Sequence, residues 1–513
     1  MTVKPDARHP AVATAAVAGL LVATSALALW LRLTGLHGWD GTLSVDEARL
    51  ALAGRGILEH GVPVLPSGWP YTRGLLASYL VAPSLALLGL TDFAARLPSA
   101  LAGTALVPVM YALGRSLAGR PAGLFGALFV AGYPPLVAWS REAWLFALYV
   151  TVYATALLFI LLAHQSGRAR DQLLAGALVG LTLFAHELGI FLLVPLGAQV
   201  VRRLWCRRAD KRAWLAPLAA LGLALGAAAV LWVLVTRLRA DTLAGPYGEV
   251  GEYFSPHLDG APLGFYLAML ANGRGLVLAA ALAGLPFALA WHQGEALMLW
   301  LALLPPLAHA VTIIPGGPQE RYGLTLMVAL LGLAALGVGS LAKWATRRLT
   351  HPFAPPALLA GLVFALVLVV HQDLGRALER GALSPRQGAW LREFRALNPG
   401  PEDLVMSDLP TVTGWYLGQL DFWVSSRQYQ KYSLRTDDLR RDVHTGAVLI
   451  RSVSEFQRLV ALPNRGRTLW VVASNRDFQW GELVDDDLKA FLERSASQRI
   501  SPGDRSRILR IEL

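Results

Sequence analysis

Residues 171–201 read DQLLAGALVGLTLFAHELGIFLLVPLGAQVV, an apolar stretch whose interior carries one ionisable break, His186-Glu187. A bilayer core takes about 20 apolar residues per helix, so the stretch is too long for one ordinary span. A charged pair is also disfavoured at mid-membrane. The sequence therefore predicts two short spans, 171–185 and 188–201, joined by a turn at His186-Glu187. On that reading the chain is a polytopic membrane protein.

Further apolar runs extend on both sides: 11–33, 97–117, 121–139, 143–163, 214–236, 274–291, 295–314, 322–342 and 354–371. The first is longer than a signal-peptide core and has no clear cleavage site before Asp40, so it reads as a span. Residues 74–91 are also apolar, and the basic loops decide their place. Arg202, Arg203, Arg207, Arg208, Lys211 and Arg212 form the strongest basic loop and mark the cytoplasmic side. If 74–91 lies in or dips into the outer face, Arg115/Arg120, Arg168/Arg170 and Lys343/Arg347/Arg348 fall on that same side. This arrangement predicts about eleven transmembrane helices. It leaves 34–96, 140–142, 186–187, 237–273, 315–321 and the C-terminal tail outside.

Composition agrees. Of 513 residues, 55% are hydrophobic and 16% charged, against about 25% charged in an ordinary soluble domain. Soluble, disordered, collagenous and disulfide-built classes are excluded. Cys206 is the single cysteine, so no intramolecular disulfide and no cysteine-built zinc site exists. The net charge of +11 divides into +9 over residues 1–372 and +2 over 373–513. Most of the excess sits in the inferred cytoplasmic loops, where it orients the bundle and does not signal nucleic acid.

From about residue 373 charges become dense. Short apolar strands at 403–407, 447–450, 468–473 and 507–513 alternate with helix-like segments near 386–397, 453–462 and 481–494. That pattern predicts an α/β domain. The expected division is a membrane domain over 1–372, with its first external loop at 34–96, and an extracytoplasmic domain over 373–513.

Chemistry-bearing residues gather on the predicted outer face. Asp46 and Arg49 are three apart and share a helix face. A carboxylate there can take a proton from an acceptor, and a guanidinium can hold a phosphate through its fork. The same spacing also describes an ordinary surface ion pair. Glu47 lies beside them. Tyr71 and Arg73 stand where the 74–91 segment begins, and Arg96 stands at the outer start of a span; both arginines also fit interfacial anchors. Ser140-Arg141-Glu142, His186-Glu187 and Glu320-Arg321-Tyr322 fall at outer span ends. Glu142, His186 and Glu187 have the donor types of a divalent-metal site. Phosphate-loop, dinucleotide and HExxH patterns are missing. In the tail, Asp408, Tyr416 and Asp421 are acceptor-side or structural groups.

The ordered set resembles a known family. Asp46-Glu47-Ala48-Arg49, Tyr71-Thr72-Arg73-Gly74, Phe93-Ala94-Ala95-Arg96-Leu97-Pro98-Ser99-Ala100-Leu101-Ala102-Gly103, Ser140-Arg141-Glu142 and Arg321-Tyr322 occur in sequence. Together they look like the GT-C glycosyltransferases of the protein O-mannosyltransferase and lipid A aminoarabinose transferase superfamily, over roughly residues 11–345. The chain departs from the aminoarabinose transferases at Thr72-Arg73-Gly74, where those have an acidic residue and a lysine before Pro-Pro. His186-Glu187 replaces a family lysine.

The resemblance implies transfer of a sugar from a polyprenyl-phosphate donor to an extracytoplasmic lipid, glycan or protein in a bacterial inner membrane. It assigns catalysis to Asp46 with Glu47 beside it, and the donor phosphate to Arg49, Arg73, Arg96 and Arg321. Tyr71, Glu142, His186, Glu187 and Tyr322 are expected to hold sugar or acceptor. A lipid-sugar transporter is the competing class. Transporters show related halves and charges near mid-membrane, whereas here the halves differ and the charges gather at one face.

Overall fold

The computed structural model describes residues 8–36, 43–206, 210–239, 292–312, 320–348, 388–427, 432–436, 438–473, 483–502 and 506–513, with residues 286 and 429. The chain divides into two compact units. One takes the described residues of Met1–Thr34, Ser99–Val233 and Phe254–Arg380; the other takes those of Gly35–Pro98, Leu234–Tyr253 and Gly381–Leu513.

The first unit is helical. The described residues of the chain include six helices long and apolar enough to cross a membrane: Thr14–Leu33, Asp92–Ala118, Leu145–Ser166, Glu187–Cys206, Lys211–Leu238 and Gly323–Trp344. Arg120–Gly132 and Pro134–Ser140 form an apolar helix pair bent by 56°. The bend falls at Tyr133, whose φ −63° and ψ 114° are extended, as the residue before a proline prefers. The expected break at His186 is present. Helix Ala169–Ala185 ends there, His186 is extended at φ −165° and ψ 144°, and a 3₁₀ turn over Glu187–Leu192 leads into helix Leu193–Cys206. Helix Gln293–Thr312 occupies the expected 295–314 run. The expected spans at 274–291 and 354–371 lie outside the described residues.

Two buried arginines complete this unit's helix ends. A helix leaves its last carbonyls without partners, and in lipid each must be satisfied within the protein. The Arg32 guanidinium donates to the carbonyls of Val130 and Ala131 at 3.0 and 3.1 Å, at the end of helix Arg120–Gly132. Arg141 answers by donating to the carbonyls of Leu31 and Thr34 at 2.8 and 2.6 Å, at the end of the first helix.

Close helix crossings here need missing side chains. A Cβ on Gly176 would stand 2.1 Å from the Ala220 carbonyl oxygen, and one on Gly180 would stand 2.6 Å from Ala227 Cβ. The pair is a small-xxx-small seam of the kind that lets membrane helices approach. Gly176→Leu should therefore separate helices Ala169–Ala185 and Leu215–Arg239 and lower the thermal midpoint of the detergent-solubilised protein. An unchanged midpoint would mean that the seam carries no packing energy.

The second unit joins the first loop to the C-terminal tail. The tail's described residues form an eight-stranded mixed sheet. Its strands are β1 Leu404–Ser407, β2 Phe422–Val424, β3 Ser433–Thr436, β4 Leu439–Asp442, β5 Val448–Ile450, β6 Thr468–Ala473, β7 Gln498–Ile500 and β8 Arg507–Glu512, in the order β3-β4-β5-β2-β1-β6-β8-β7. The four strands β5-β2-β1-β6 are parallel and the flanking pairs antiparallel. Side chains alternate across the sheet as a period of two requires. Phe422, Val424, Leu469, Val471, Leu509 and Ile511 enter one core with Phe456, Val460, Leu488 and Leu492. Trp423 turns to the opposite face, with Ala447 and Leu449.

The first loop contributes helix Val45–His60 and helix Leu75–Leu88 to this unit. The latter is 14 residues long, too short to cross a bilayer core upright. It agrees with the reading of 74–91 as a segment that does not span. Gly54 admits Val81, which would be 2.7 Å from a Cβ there, and Gly56 admits the Val64 backbone. The loop and tail are tied by Tyr416, on helix Pro410–Leu417. Its hydroxyl accepts from the Leu43 N–H and donates to the Asp92 carboxylate, each at 2.8 Å. Burial and the neighbouring Asp92 hold that phenol above its ordinary range, so it stays a donor.

Candidate active site

Ser44 starts the site. Its extended backbone (φ −70°, ψ 168°) and hydroxyl cap helix Val45–His60, and the Glu47 side chain reaches back to the Ser44 N–H at 2.9 Å. This reciprocal capping box fixes the first turn, which carries both expected carboxylates.

The two carboxylates have opposite fates. Glu47 is 3% exposed and meets the fully buried Arg96, which donates Nε–H at 2.7 Å and Nη2–H at 3.2 Å. Asp46 keeps 38% of its side-chain exposure and accepts from Arg49 Nη1 at 2.9 Å. Asp46 can therefore meet a substrate from the open side. Glu47 is committed to the helix cap and to Arg96.

Arg49 lies over the Tyr432 ring, 5.1 Å from its centroid, in cation–π range. Its Nε is buried and makes no hydrogen bond. A buried donor without a partner is disfavoured, so this edge of the guanidinium is suited to an incoming anion.

Asp46 and Arg49 line a cavity of about 400 Å³ with Ser44, Asp408, Thr411, Trp423, Ser425, Tyr432, Asp442 and His444. Asp408 and Ser425 directly follow β1 and β2, so the cavity opens at the carboxyl ends of parallel strands. Open α/β sheets bind ligands in that position. Of the tail residues named from sequence, Asp408 lines the cavity. Tyr416 ties the tail to the loop, and Asp421 accepts the Val405 N–H at 2.8 Å beside the sheet.

Asp442 and His444 carry no sequence motif and were not foreseen. They sit in the hairpin between β4 and β5. One Asp442 oxygen accepts the N–H groups of His444 (3.1 Å) and Thr445 (2.7 Å) and the Thr445 hydroxyl (2.7 Å). The other lies 3.4 Å from His444 Nδ1. The detectable signal was the turn chemistry of Asp442 through Gly446, the glycine having φ +80°.

Burial opposes charge on Asp442, but its contacts with His444 and Thr445 outweigh burial and hold the carboxyl below its ordinary range. Burial, with Arg49 adding to it, pushes the His444 imidazole down from 6.5, against the pull of Asp442 and Asp46. An unfolded histidine takes up its proton near 6.5, while the folded one resists it. The unfolded state then binds more protons below that value, and stability falls as pH falls. The thermal midpoint should drop on acidification below about pH 6.5, and His444→Gln should make that drop shallower. An identical pH dependence in the variant would remove His444 as its source.

The remaining expected site residues are distributed as follows. Tyr71 and Arg73 are half-buried and belong, with Asp46, Glu47, Arg49 and Arg96, to the second unit. Glu142, His186, Glu187, Arg321 and Tyr322 belong to the first unit. Buried His186 accepts the Leu188 N–H at Nδ1, capping the 3₁₀ turn, and packs against Phe146 and Tyr149, while Glu187 is exposed. Arg321 and Tyr322 lie in the first turn of helix Glu320–Arg348, and their side chains are outside the described residues. Among the described residues no three His, Cys, Asp or Glu side chains converge as metal ligands, the Glu142, His186 and Glu187 set included.

Residues 72–234 match the family model described as dolichyl-phosphate-mannose-protein mannosyltransferase. Across 96% of this chain and 98% of the other, the fold is shared with ArnT from Cupriavidus metallidurans in the apo state, at 16% identity and TM-score 0.66. The same ArnT bound to undecaprenyl phosphate superimposes equally, with 97% of that chain covered. The oligosaccharyltransferase AglB from Archaeoglobus fulgidus, in complex with an inhibitory peptide and a dolichol-phosphate, follows at 11% identity and TM-score 0.52, over 96% of this chain and 74% of that one. No curated protein sequence matches the chain. The fold is that of the multi-pass GT-C membrane proteins. The family model matches residues 72–234, and the shared architecture extends over nearly the whole chain.

Proposed function

We propose that the chain moves a sugar from a polyprenyl-phosphate donor to an acceptor on the outer face of a bacterial inner membrane, through the site built on Asp46 and Arg49. The observation that carries this reading is the pairing of an accessible carboxylate with a guanidinium whose buried Nε has no partner, both lining one cavity.

The steps balance without a second carboxylate. The acceptor O–H gives its proton to Asp46, and its oxygen bonds to the anomeric carbon. The bond from that carbon to the phosphate oxygen breaks, and its electron pair leaves with the polyprenyl phosphate. A phosphate already anionic leaves well and needs positive charge more than a proton, unlike the leaving group in glycoside hydrolysis. Arg49 and Arg73 supply that charge, with Arg96 and Arg321 adding positive potential. Arg96 acts through Glu47, which it holds in the first turn. Tyr71, Glu142, His186, Glu187 and Tyr322 are assigned to sugar and acceptor. One displacement inverts the anomeric configuration.

Deletion of the gene in its host tests the reading. Mass analysis should show one sugar missing from an envelope lipid, glycan or protein and its polyprenyl-phosphate form accumulating. Unchanged surface glycans and unchanged lipid-linked sugars would refute it.

A further inference from the structure

The hairpin at Asp442–Gly446 is fastened more firmly than an edge turn requires. The Ser67 hydroxyl donates to the Val443 carbonyl, and the Ser67 N–H donates to the His444 carbonyl at 3.2 Å. Ser67 lies in the first loop, so two distant segments meet to set one residue's backbone. Gly446 completes the turn with φ +80°, a conformation that favours glycine. The side chain so placed is an imidazole lining the cavity that holds Asp46.

We propose that His444, oriented by Asp442, is an acceptor-binding residue. Its Nε2 accepts a hydrogen bond from a hydroxyl of the acceptor adjacent to the one that Asp46 deprotonates. This rests on the transferase reading and narrows it to a polyhydroxyl acceptor, a saccharide or a saccharide-bearing lipid.

Ionised Asp442 can only accept, so the ring proton sits on Nδ1, and Nε2 is left as an acceptor. The charged and titratable groups around the ring are Asp442 on its own hairpin, Asp46 and Arg49 from helix Val45–His60, Asp408 after β1, and Tyr432. Acceptor oxygens of Asp46 and Asp408, hydroxyls of Ser425 and Thr411, and this ring nitrogen suit a ligand that presents several O–H donors. The volume of about 400 Å³ falls within the range of small-molecule pockets. An ordinary peptide serine presents one hydroxyl and would leave most of these groups unmatched.

Calorimetric titration of the full-length protein in lipid nanodiscs, near neutral pH, tests the assignment. The probes are methyl α-D-mannopyranoside, methyl α-D-glucopyranoside and a blocked peptide with one serine. At least one glycoside should bind, and the peptide should not. His444→Ala should weaken glycoside binding about tenfold, the size expected for one lost hydrogen bond with its partner left unmet. His444→Gln keeps an acceptor atom and should bind within about threefold of the parent. Failure of both glycosides to bind, peptide binding in their place, or equal affinity in His444→Ala overturns the proposal. Equal losses in the Ala and Gln variants would also overturn it, by showing a packing role only. The titration needs neither donor nor turnover. A chain that binds glycoside through His444 but never consumes a polyprenyl-phosphate sugar would refute the transferase reading separately.

Discussion

Replacing Asp46 by Asn should leave a folded protein that has lost transfer by about 10²–10⁴-fold, the range for removal of a positioned general base. Asp46 is the first-turn carboxylate with an open side, and Asn keeps its size and a hydrogen-bonding oxygen toward Arg49. The change therefore removes proton acceptance with little else. Initial rates with a labelled donor give the loss, and an unchanged thermal midpoint shows that the fold survives. A variant within a few-fold of the parent would take the base role away from Asp46. Arg49→Lys complements it. Lysine keeps the charge and loses the planar fork, so donor affinity should fall while the response to acceptor concentration is retained.

Glu47→Ala should give the largest stability change of any single substitution in the first loop. It removes the carboxylate that accepts two hydrogen bonds from the fully buried Arg96, and breaking one side of a buried ion pair costs about 3–5 kcal/mol. It also removes half of the capping box at Ser44. The thermal midpoint of the purified protein should fall steeply, and activity should be lost through unfolding and not through chemistry. The double variant Glu47→Leu with Arg96→Met tests the cause. Two apolar side chains remove both charges of this pair, and Asp92 keeps its hydrogen bond from Tyr416, so part of the lost midpoint should return. A double variant as unstable as Glu47→Ala would mean that the pair's charges are not the source of the loss.

These two neighbours show how far sequence reading reached. Spacing placed Asp46 and Arg49 on one helix face, and the ion pair lies there at 2.9 Å. Glu47 differs locally from Asp46 only in completing the Ser44-x-x-Glu47 capping box, and the buried ion pair that commits it lies 49 residues away. The membrane helices were legible because an apolar run of bilayer length has few alternatives. The break at His186 was legible because a charge pair inside such a run must sit at an end. In the tail, the expected strands 403–407, 447–450, 468–473 and 507–513 correspond to β1, β5, β6 and β8, whose buried side chains, Ser407 aside, are apolar. The strands β3 (Ser-Leu-Arg-Thr), at the sheet's edge, and β4 (Leu-Arg-Arg-Asp), beside it, are mostly polar, so they leave no hydrophobic alternation to read. The hairpin that follows β4 carries His444. Its relation to Asp46 spans most of the chain and arises only through the fold.

The most direct test of the account is made with the purified chain in nanodiscs and a radiolabelled polyprenyl-phosphate sugar, with a panel of lipid, glycan and peptide acceptors. The account predicts stoichiometric release of polyprenyl phosphate, label in one acceptor, and an anomeric configuration opposite to the donor's. Donor left intact with every acceptor, or transfer with the configuration retained, would contradict it.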